Sequence, residues 1–204
     1  REPSFPIAVA CDPAFNFVYE ANIRYLHHLG EVTYFSPLAD TSLPDVGFVY
    51  LPGGYPELYL AALSANRQML QSIRRYVESG GKLLAECGGM MYLCDEIRDK
   101  NGDVYPMAGV LHQSATMENM KLRLGYRTLL YNETRLKGHE FHYSRLVEQQ
   151  NPLPSCAVAY TAKGVETDTP LYHYKNVWAG YTHLYWADPV GNEWFTKFVI
   201  DGNT

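Results

Sequence analysis

The chain has 204 residues, of which 47% are hydrophobic and 19% are charged, and its formal net charge is −5 at pH 7. This length predicts one domain with a substantial core. The negative charge and the lack of a basic stripe argue against nucleic acid or an anionic membrane surface as a partner. No apolar run approaches the roughly 20 residues that are needed to cross a bilayer.

The chain has four cysteines, Cys11, Cys87, Cys94 and Cys156, and none of them belongs to a C-x-x-C pair. This spacing predicts neither a zinc site nor a small disulfide scaffold. Free thiols are typical of a reducing compartment, so we expect a cytoplasmic protein. The first residue is Arg1 rather than methionine and no signal peptide is evident, which suggests a processed product or a piece of a longer chain.

The first half of the sequence alternates between short apolar runs and segments with helical spacing. The apolar runs predict strands at residues 7–11, 32–35, 48–51 and 82–86. Helices are predicted at residues 17–29, 57–65, 67–79 and 89–96. This order predicts an α/β fold, with a mostly parallel open sheet and helices on both of its faces.

The second half is richer in tyrosine, threonine and glycine, which predicts more β-structure. Strand-like runs cover residues 126–131, 157–161 and 177–181, and residues 192–200 are predicted to close the chain as a helix. No internal repeat and no long Gly/Ser/Pro linker divides the sequence. Residues 1–204 are therefore expected to form a single α/β domain with a β-rich second half.

Two glycine-bearing turns follow predicted strands. One is LPGGYPE, residues 51–57, and the other is AECGG, residues 85–89. In an open parallel sheet, ligands bind beyond the carboxyl ends of the strands. Both turns are therefore expected on the same rim of the sheet, and a functional site is predicted there.

Cys87 lies at the predicted bend from a strand to a helix. A side chain on such a tight bend is pushed out of the sheet, as in a nucleophile elbow. The N-terminus of the following helix favours a thiolate, and its free N–H groups can receive the negative charge of a tetrahedral intermediate. The turn at Gly53 and Gly54 could bring a second backbone N–H to the same oxygen. The alternative is that Cys87 is a small core residue, because free cysteine is among the most buried residue types.

A thiol nucleophile needs a base near its sulfur, and we favour His183. It lies in AGYTHLYW, where it closes a late strand-like run from which its side chain can reach the sheet edge. His139 and His142 lie in GHEFHYS, residues 138–144, which is not an H-E-x-x-H pattern, so no metal site is predicted. On a strand, Glu140 and His142 share one face. That segment either approaches a ligand and orients the base, or is a partly buried strand with satisfied polar groups.

Four motifs in this order resemble the class I glutamine amidotransferase domain of the cobyrinic acid a,c-diamide synthase family. They are LPGGYPELY, ECGGMMYL, GHEFHYS and AGYTHLYW. The resemblance runs from about residue 7 to about residue 188. That family joins an N-terminal ATP-dependent synthetase domain to a C-terminal glutaminase domain, and this chain resembles only the second. ATP and Mg²⁺ are therefore expected on the synthetase domain, and no cofactor is expected here.

The resemblance implies a role for individual residues. Cys87 matches the nucleophile that attacks the glutamine side-chain amide, giving a γ-glutamyl thioester and ammonia. His183 matches the histidine that activates it and protonates the departing ammonia. Backbone N–H groups of Gly53, Gly54 and Gly88 match the oxyanion hole.

Two positions depart from the common class I pattern. Tyr185 stands where many class I enzymes have a glutamate two residues after the histidine, and Met91 stands where many have a glutamine. The resembled family also lacks that glutamate, which implies a catalytic dyad or a third member elsewhere. Glutamine recognition then needs other groups. The candidates for binding glutamine or orienting the dyad are Tyr55, Glu140 and His142.

The function implied by the resemblance is glutamine hydrolysis that supplies ammonia to a tetrapyrrole carboxylate in cobalamin biosynthesis. The implied partners are glutamine, the synthetase domain and, through that domain, the tetrapyrrole; a homodimer stays open. The alternatives are a cobyric acid synthase-type glutaminase domain, a more distant cell-wall lipid amidating glutaminase, a catalytically silent binding module of the same fold, and a cysteine hydrolase of a related fold.

Overall fold

The structure is a computed structural model that describes residues 5–202. In chain order, its strands are β1 (Phe5–Ala10), β2 (Gly30–Phe35), β3 (Phe48–Leu51), β4 (Lys82–Glu86), β5 (Cys94–Arg98), β6 (Val104–Pro106), β7 (Leu111–Thr116), β8 (Arg123–Tyr131), β9 (Thr134–His142), β10 (Arg145–Leu146), β11 (Val158–Thr161), β12 (Glu166–Thr167), β13 (Leu171–Tyr174), β14 (Val177–Gly180) and β15 (His183–Leu184). Its helices are α1 (Glu20–Leu29), α2 (Leu60–Ala65), α3 (Arg67–Glu78), α4 (Gly88–Leu93) and α5 (Pro189–Trp194). A 3₁₀ turn (Pro56–Leu58) precedes α2, and a π-helical segment (Phe195–Ile200) continues α5.

The central sheet has six strands in the order β13-β14-β4-β3-β1-β2. Five of them are parallel, and β13 alone runs antiparallel at one edge. The expected mostly parallel open sheet is thus confirmed. Because β3 and β4 are parallel neighbours, their carboxyl ends bring the two glycine turns together.

Helices cover both faces of this sheet, as the βαβα order predicts. Side chains of each strand alternate between two cores; in β1, Ala8 and Ala10 join one core, and Ile7 and Val9 join the other. Helices α2, α3 and α4 pack against the first core, while α1, α5 and the π-helical segment pack against the second. Within residues 5–202, no helix is long and apolar enough to span a membrane.

The second half of the chain adds two further sheets. One has the strand order β10-β7-β5-β6, and the other has the order β12-β11-β8-β9-β15. The long antiparallel pair of β8 and β9 carries the GHEFHYS segment, and the short strand β15 pairs His183 with His139. The β-rich second half therefore supplies one wall beside the carboxyl ends of the central sheet.

Two helix boundaries differ from the sequence prediction. The helix predicted at residues 89–96 is wrong beyond Leu93, because Cys94 starts a strand that pairs with Leu111 of β7. The helix predicted at residues 17–29 begins only at Glu20, because the N–H of Phe17 bonds to the carbonyl of Gly53 instead of joining a helix. In both places a long-range backbone pairing replaces the local helical bond.

Two other predicted helices are divided or displaced. The segment at residues 57–65 is a 3₁₀ turn followed by α2. The C-terminal helix begins earlier than residue 192, because the Asp188 side chain caps α5 by accepting the N–H of Gly191 at 2.6 Å.

Candidate active site

Cys87 forms the tight link between β4 and α4. Its backbone has φ 51° and ψ −107°, a conformation that is uncommon for a residue with a side chain. Its N–H donates to Gly180 O at 2.7 Å, and its carbonyl accepts the N–H of Met91 at 3.0 Å. Such a backbone costs about 1–3 kcal/mol, so the surrounding structure must hold it in place.

The glycines around Cys87 are required by the close packing of the two turns. A Cβ on Gly88 would lie 2.7 Å from Pro56 Cδ and 3.1 Å from Gly54 O. A Cβ on Gly89 would lie 2.1 Å from Leu51 O. The cysteine turn therefore rests directly on the Gly53–Gly54 turn, and no larger residue fits between them.

Cys87 and His183 line the same small cavity, which we call the Cys87 pocket. Its volume is about 250 Å³, and its lining residues are Phe17, Gly54, Tyr55, Cys87, His139, Phe141 and His183. This is smaller than the roughly 300–1,000 Å³ of pockets for drug-sized ligands, so it suits an amino-acid-sized molecule. Tyr55 lies at its mouth with 41% of its surface exposed.

The imidazole of His183 is oriented by packing. The Phe17 ring lies against it with 4.4 Å between ring centroids, and a Cβ on Gly53 would approach its Cε1 to 2.2 Å. Its Nδ1 is buried and has no hydrogen-bond partner among residues 5–202. Tyr185, two residues further on, turns its ring toward Tyr19 instead.

Burial keeps both members of the pair neutral. Desolvation raises the pKa of the Cys87 thiol well above its usual range, and nearby carboxylates raise it further, while a hydrogen bond from Gly88 only partly opposes them. Desolvation also lowers the pKa of His183 to about 4, and the neighbouring His139 and His142 add to this effect. The expectation that the N-terminus of the following helix favours a thiolate at Cys87 is therefore wrong, because burial outweighs it. The pocket is thus lined by a thiol and a neutral imidazole, and the thiol donates to Phe141 O at 3.6 Å.

Glu86, immediately before Cys87, is a buried carboxyl group with 1% of its surface exposed. One of its oxygens accepts the hydroxyl of Tyr50, and the other accepts the backbone N–H of Leu184 at 2.7 Å. Burial raises the pKa of Glu86 to about 7, although these hydrogen bonds oppose the rise. This residue was missed by the sequence reasoning, because its partner follows His183 and only the fold brings the two together.

Glu140 and His142 lie on the face of β9 that points away from the Cys87 pocket. They line a separate cavity of about 600 Å³. The Glu140 carboxylate forms an ion pair with Arg123 Nε at 2.9 Å. It accepts hydrogen bonds from Arg127 Nε at 3.3 Å, from His142 Nε2 at 3.0 Å and from the Thr169 hydroxyl. Burial alone would raise the pKa of Glu140, but hydrogen bonds from His142 and Thr169 and the charge of Arg123 lower it to about 2. Glu140 and His142 therefore hold β9 in place from the side opposite the Cys87 pocket.

The opposite face of β9 supplies the pocket wall, and the sequence reasoning missed its residues. His139 and Phe141 line the Cys87 pocket, together with Phe17 from the loop before α1. Strand alternation places His139 and Phe141 on one face, but it does not reveal which face meets the cysteine. Within residues 5–202, no group of three or more His, Cys, Asp and Glu side chains is placed to hold a metal ion.

The fold is that of the class I glutamine amidotransferases. PurLQS from Thermotoga maritima shares the fold with a TM-score of 0.61 at 19% identity, over 88% of this chain and 87% of that one. A solved glutamine amidotransferase shares it with a TM-score of 0.60 at 17% identity, over 95% of this chain and 98% of that one. At such identities the likeness concerns the fold alone.

The family is more specific than the class. Residues 6–190 match the CobB/CobQ-like glutamine amidotransferase domain, and the chain belongs to this family. The resemblance drawn from the four sequence motifs is thereby confirmed.

Relatives in the family are larger proteins. The chain is 40% identical over 185 residues to the hydrogenobyrinate a,c-diamide synthase of Pseudomonas aeruginosa, a match that covers 88% of this chain and 41% of that protein. It is 40% identical over 188 residues to the cobyrinate a,c-diamide synthase of Fusobacterium nucleatum, covering 88% and 41%. For the cobyrinate a,c-diamide synthase of Clostridium acetobutylicum the identity is 38% over 210 residues, covering 98% and 46%. The chain thus spans less than half the length of these relatives.

The contact between Gly53 and the His183 ring can be tested with a single methyl group. In Gly53→Ala the new Cβ would overlap the imidazole, so the ring must leave the position in which it now lines the Cys87 pocket. We expect alkylation of Cys87 by chloroacetamide to slow at least about tenfold, because a positioned base typically contributes 10²–10⁴-fold. Peptide mapping by mass spectrometry would separate Cys87 from the other thiols. Gly164→Ala is the control, since Gly164 has φ +80° but open space around it. An unchanged rate in Gly53→Ala would contradict the assigned packing.

The buried Glu86 should make stability depend on pH. Its pKa in the folded protein, about 7, lies above its ordinary value of 4.5. Its contribution to stability is therefore fully present below about pH 4.5 and is lost as the pH rises through about 7. Relative to Glu86→Gln, the wild type should lose about 3 kcal/mol of unfolding free energy between pH 4.5 and pH 8. Urea unfolding of both proteins across this range measures the difference, and parallel curves would refute it.

Proposed function

We propose that this chain is the glutaminase part of a cobyrinate a,c-diamide synthase-like ligase. It would hydrolyse glutamine at Cys87 and supply ammonia for the ATP-dependent amidation of side-chain carboxylates on a cobyrinic acid-type tetrapyrrole, in cobalamin biosynthesis. One observation carries this proposal: Cys87 on its strained turn and His183 line one amino-acid-sized pocket, in a chain about 40% identical to a,c-diamide synthases.

The first half-reaction forms a thioester. As the Cys87 sulfur attacks the side-chain amide carbon of glutamine, His183 takes the thiol proton, which its neutral imidazole can accept. The carbonyl oxygen becomes an oxyanion, and the backbone N–H groups of Gly53, Gly54 and Gly88 are the proposed donors to it. The C–N bond then breaks, and the imidazolium returns its proton to the nitrogen, so that ammonia leaves and a γ-glutamyl thioester remains.

The second half-reaction regenerates the thiol. His183 removes a proton from water as the water oxygen attacks the thioester carbon. The C–S bond breaks, glutamate leaves, and the proton passes from His183 to the Cys87 sulfur. The low pKa of His183 suits it to give up this proton readily.

Glutamine recognition is assigned to the residues at the pocket mouth. Tyr55 lines the Cys87 pocket and is partly exposed, so it can contact the amino-acid end of glutamine. Glu140 and His142 face the other side of β9, and we therefore assign them to holding that strand rather than to binding glutamine. His139 and Phe141 line the Cys87 pocket in their stead, and we assign to them the contacts with glutamine on this side.

The partner is proposed to be the remainder of a longer polypeptide, which would carry ATP, Mg²⁺ and the tetrapyrrole. The chain spans 41–46% of the length of its relatives, which leaves room for such a domain. Two aromatic side chains that line the Cys87 pocket, Phe17 and Tyr55, are exposed by 43% and 41% of their surface. Large exposed apolar areas mark interaction sites, so this rim is the proposed place of contact. All four cysteines lie in the described part of the chain and are free, which supports a reducing cytoplasm as the compartment.

A catalytically silent binding module is the second candidate. It is favoured by the buried, unpartnered Nδ1 of His183 and by the hydrogen bond that the thiol makes to Phe141 O instead of to the imidazole. Both features are also compatible with a glutaminase that waits for its partner, so a reaction must decide between them.

Replacement of either member of the pair provides the decisive test. Cys87→Ala and His183→Ala should each abolish glutamate formation from glutamine while leaving the circular dichroism spectrum unchanged. A glutamine-analogue electrophile such as a diazoketone should label Cys87 of the wild type. Glutaminase activity that survives in Cys87→Ala would overturn the assignment. Lack of labelling, even with the rest of the polypeptide present, would favour the silent module.

Glutamine turnover should depend on the synthetase part. The oxyanion hole needs an N–H of the Gly53–Gly54 turn to point at the substrate, and glycine turns rotate a peptide at little steric cost. Restoring one donor is worth roughly 10²–10³-fold in rate. We therefore expect at least about a hundredfold rise in glutamine turnover when the synthetase part, ATP and acceptor are present. Equal rates with and without them would show that the two parts are not coupled.

A further inference from the structure

The catalytic histidine lies on a strand that has little support of its own. Strand β15 consists only of His183 and Leu184, and it makes just two residue pairs with β9. The residue that follows, Tyr185, bonds through its N–H to Lys137 O at 2.8 Å. A ring that must meet a sulfur within a few tenths of an ångström needs firmer support than so short a ladder provides.

Leu184 supplies that support through both of its backbone polar groups. Its N–H donates to Glu86 Oε2 at 2.7 Å, and its carbonyl accepts from Asn22 Nδ2 at 2.8 Å. Glu86 and Asn22 are both fully buried, and Asn22 also accepts the N–H of Trp186 at 3.1 Å. The residue beside the histidine is therefore fixed from the central sheet on one side and from α1 on the other.

The hydrogen bond from Leu184 to Glu86 differs from the bond to Asn22, because Glu86 lies next to Cys87 in the chain. Glu86 is the last residue of β4, and Cys87 follows it directly. Its carboxyl group thus links the backbone that carries the nucleophile to the backbone that carries the base. Burial of this group would be unfavourable in an apolar core unless its hydrogen bonds were satisfied, and both of its oxygens are.

We propose that Glu86 is the positioning residue of this site, which fixes His183 relative to Cys87 by holding Leu184 through the backbone. This inference rests on the proposed function. Glu86 bonds to the main chain next to His183 rather than to the imidazole. The packing of Phe17 and Gly53 then sets the orientation of the ring itself. Glu86 lies outside the lining of the Cys87 pocket, so it should not affect how glutamine binds.

The Leu184 bond does not require a charge on Glu86. The oxygen that faces Leu184 can accept a hydrogen bond whether or not the other oxygen, beside Tyr50, carries a proton. An amide in the same place retains one acceptor for Leu184 and offers donors to the Tyr50 oxygen. A side chain of similar length without an acceptor leaves the Leu184 N–H buried and unpaired.

Two variants of equal length therefore separate positioning from simple space filling. Glu86→Gln should retain kcat for glutamine hydrolysis within about threefold of the wild type. Glu86→Met should lower kcat roughly ten- to hundredfold, with KM for glutamine unchanged within about twofold, because misplacement of a catalytic group by about 1 Å costs up to 10²-fold. Tyr50→Phe is the control, since it removes the other partner of the carboxyl group and leaves the Leu184 bond. Its kcat should stay near that of the wild type.

If Glu86→Met does not fold, Glu86→Asp gives the same test, because it retains the acid but draws it back from Leu184. A kcat of the wild-type size in folded Glu86→Met or Glu86→Asp would overturn the proposal. So would a loss in Glu86→Gln equal to that in Glu86→Met, since this would point to the charge rather than to the acceptor.

A spectroscopic measurement distinguishes failure of this proposal from failure of the proposed function. The pKa of His183, followed by NMR and assigned with His183→Gln, should rise from about 4 toward its usual value of 6.5 in Glu86→Met, because the freed strand exposes the ring to water. It should stay low in Glu86→Gln. If the wild type does not hydrolyse glutamine but this shift is seen, the proposed function fails while the positioning of His183 by Glu86 is supported. If the pKa of His183 does not change in Glu86→Met, the positioning role of Glu86 is refuted, whatever the activity.

Discussion

The backbone of Cys87, with its positive φ, is the constraint on which the rest of the site depends. A residue with a side chain enters this conformation only when its surroundings compel it. Here the carbonyl of Gly180 accepts its N–H, and Gly88 and Gly89 lie so close to the neighbouring turn that the backbone has no space for a different conformation. The strand order also supports this turn, because β4 lies between β3 and β14. The Gly53–Gly54 turn follows β3, and Gly180 at the end of β14 accepts the N–H of Cys87.

The two buried carboxyl groups Glu86 and Glu140 have opposite properties because their surroundings differ. Glu140 meets Arg123, Arg127 and His142, so its negative charge is stabilised and its pKa falls to about 2. Glu86 meets only uncharged donors, so desolvation prevails and its pKa rises to about 7. Glu140 therefore remains charged at any ordinary pH and can hold β9 in place through its ion pairs. Glu86 serves through its hydrogen bonds, which do not depend on its charge.

The same desolvation explains why the cysteine and histidine are a neutral pair. Both groups are buried, and desolvation is the largest cause of each shift among residues 5–202. An imidazole that remains uncharged down to about pH 4 is a base that is available at every physiological pH. In the proposed reaction the Cys87 sulfur would therefore lose its proton during the attack, so the packing that orients the His183 ring matters more than a charge held beforehand.

The local sequence pattern was enough to predict the α/β architecture and the position of Cys87 at a strand-to-helix turn. Short apolar runs such as those at residues 48–51 and 83–85 favour buried strands, and a cysteine between such a strand and two glycines predicts an elbow. Tertiary structure decided what local patterns leave open. It ended α4 at Leu93 because Cys94 pairs with β7, and it turned His139 rather than His142 toward the cysteine. It also joined Glu86 to Leu184 and set the protonation of Cys87 and His183, since burial and contacts between distant residues are properties of the assembled fold.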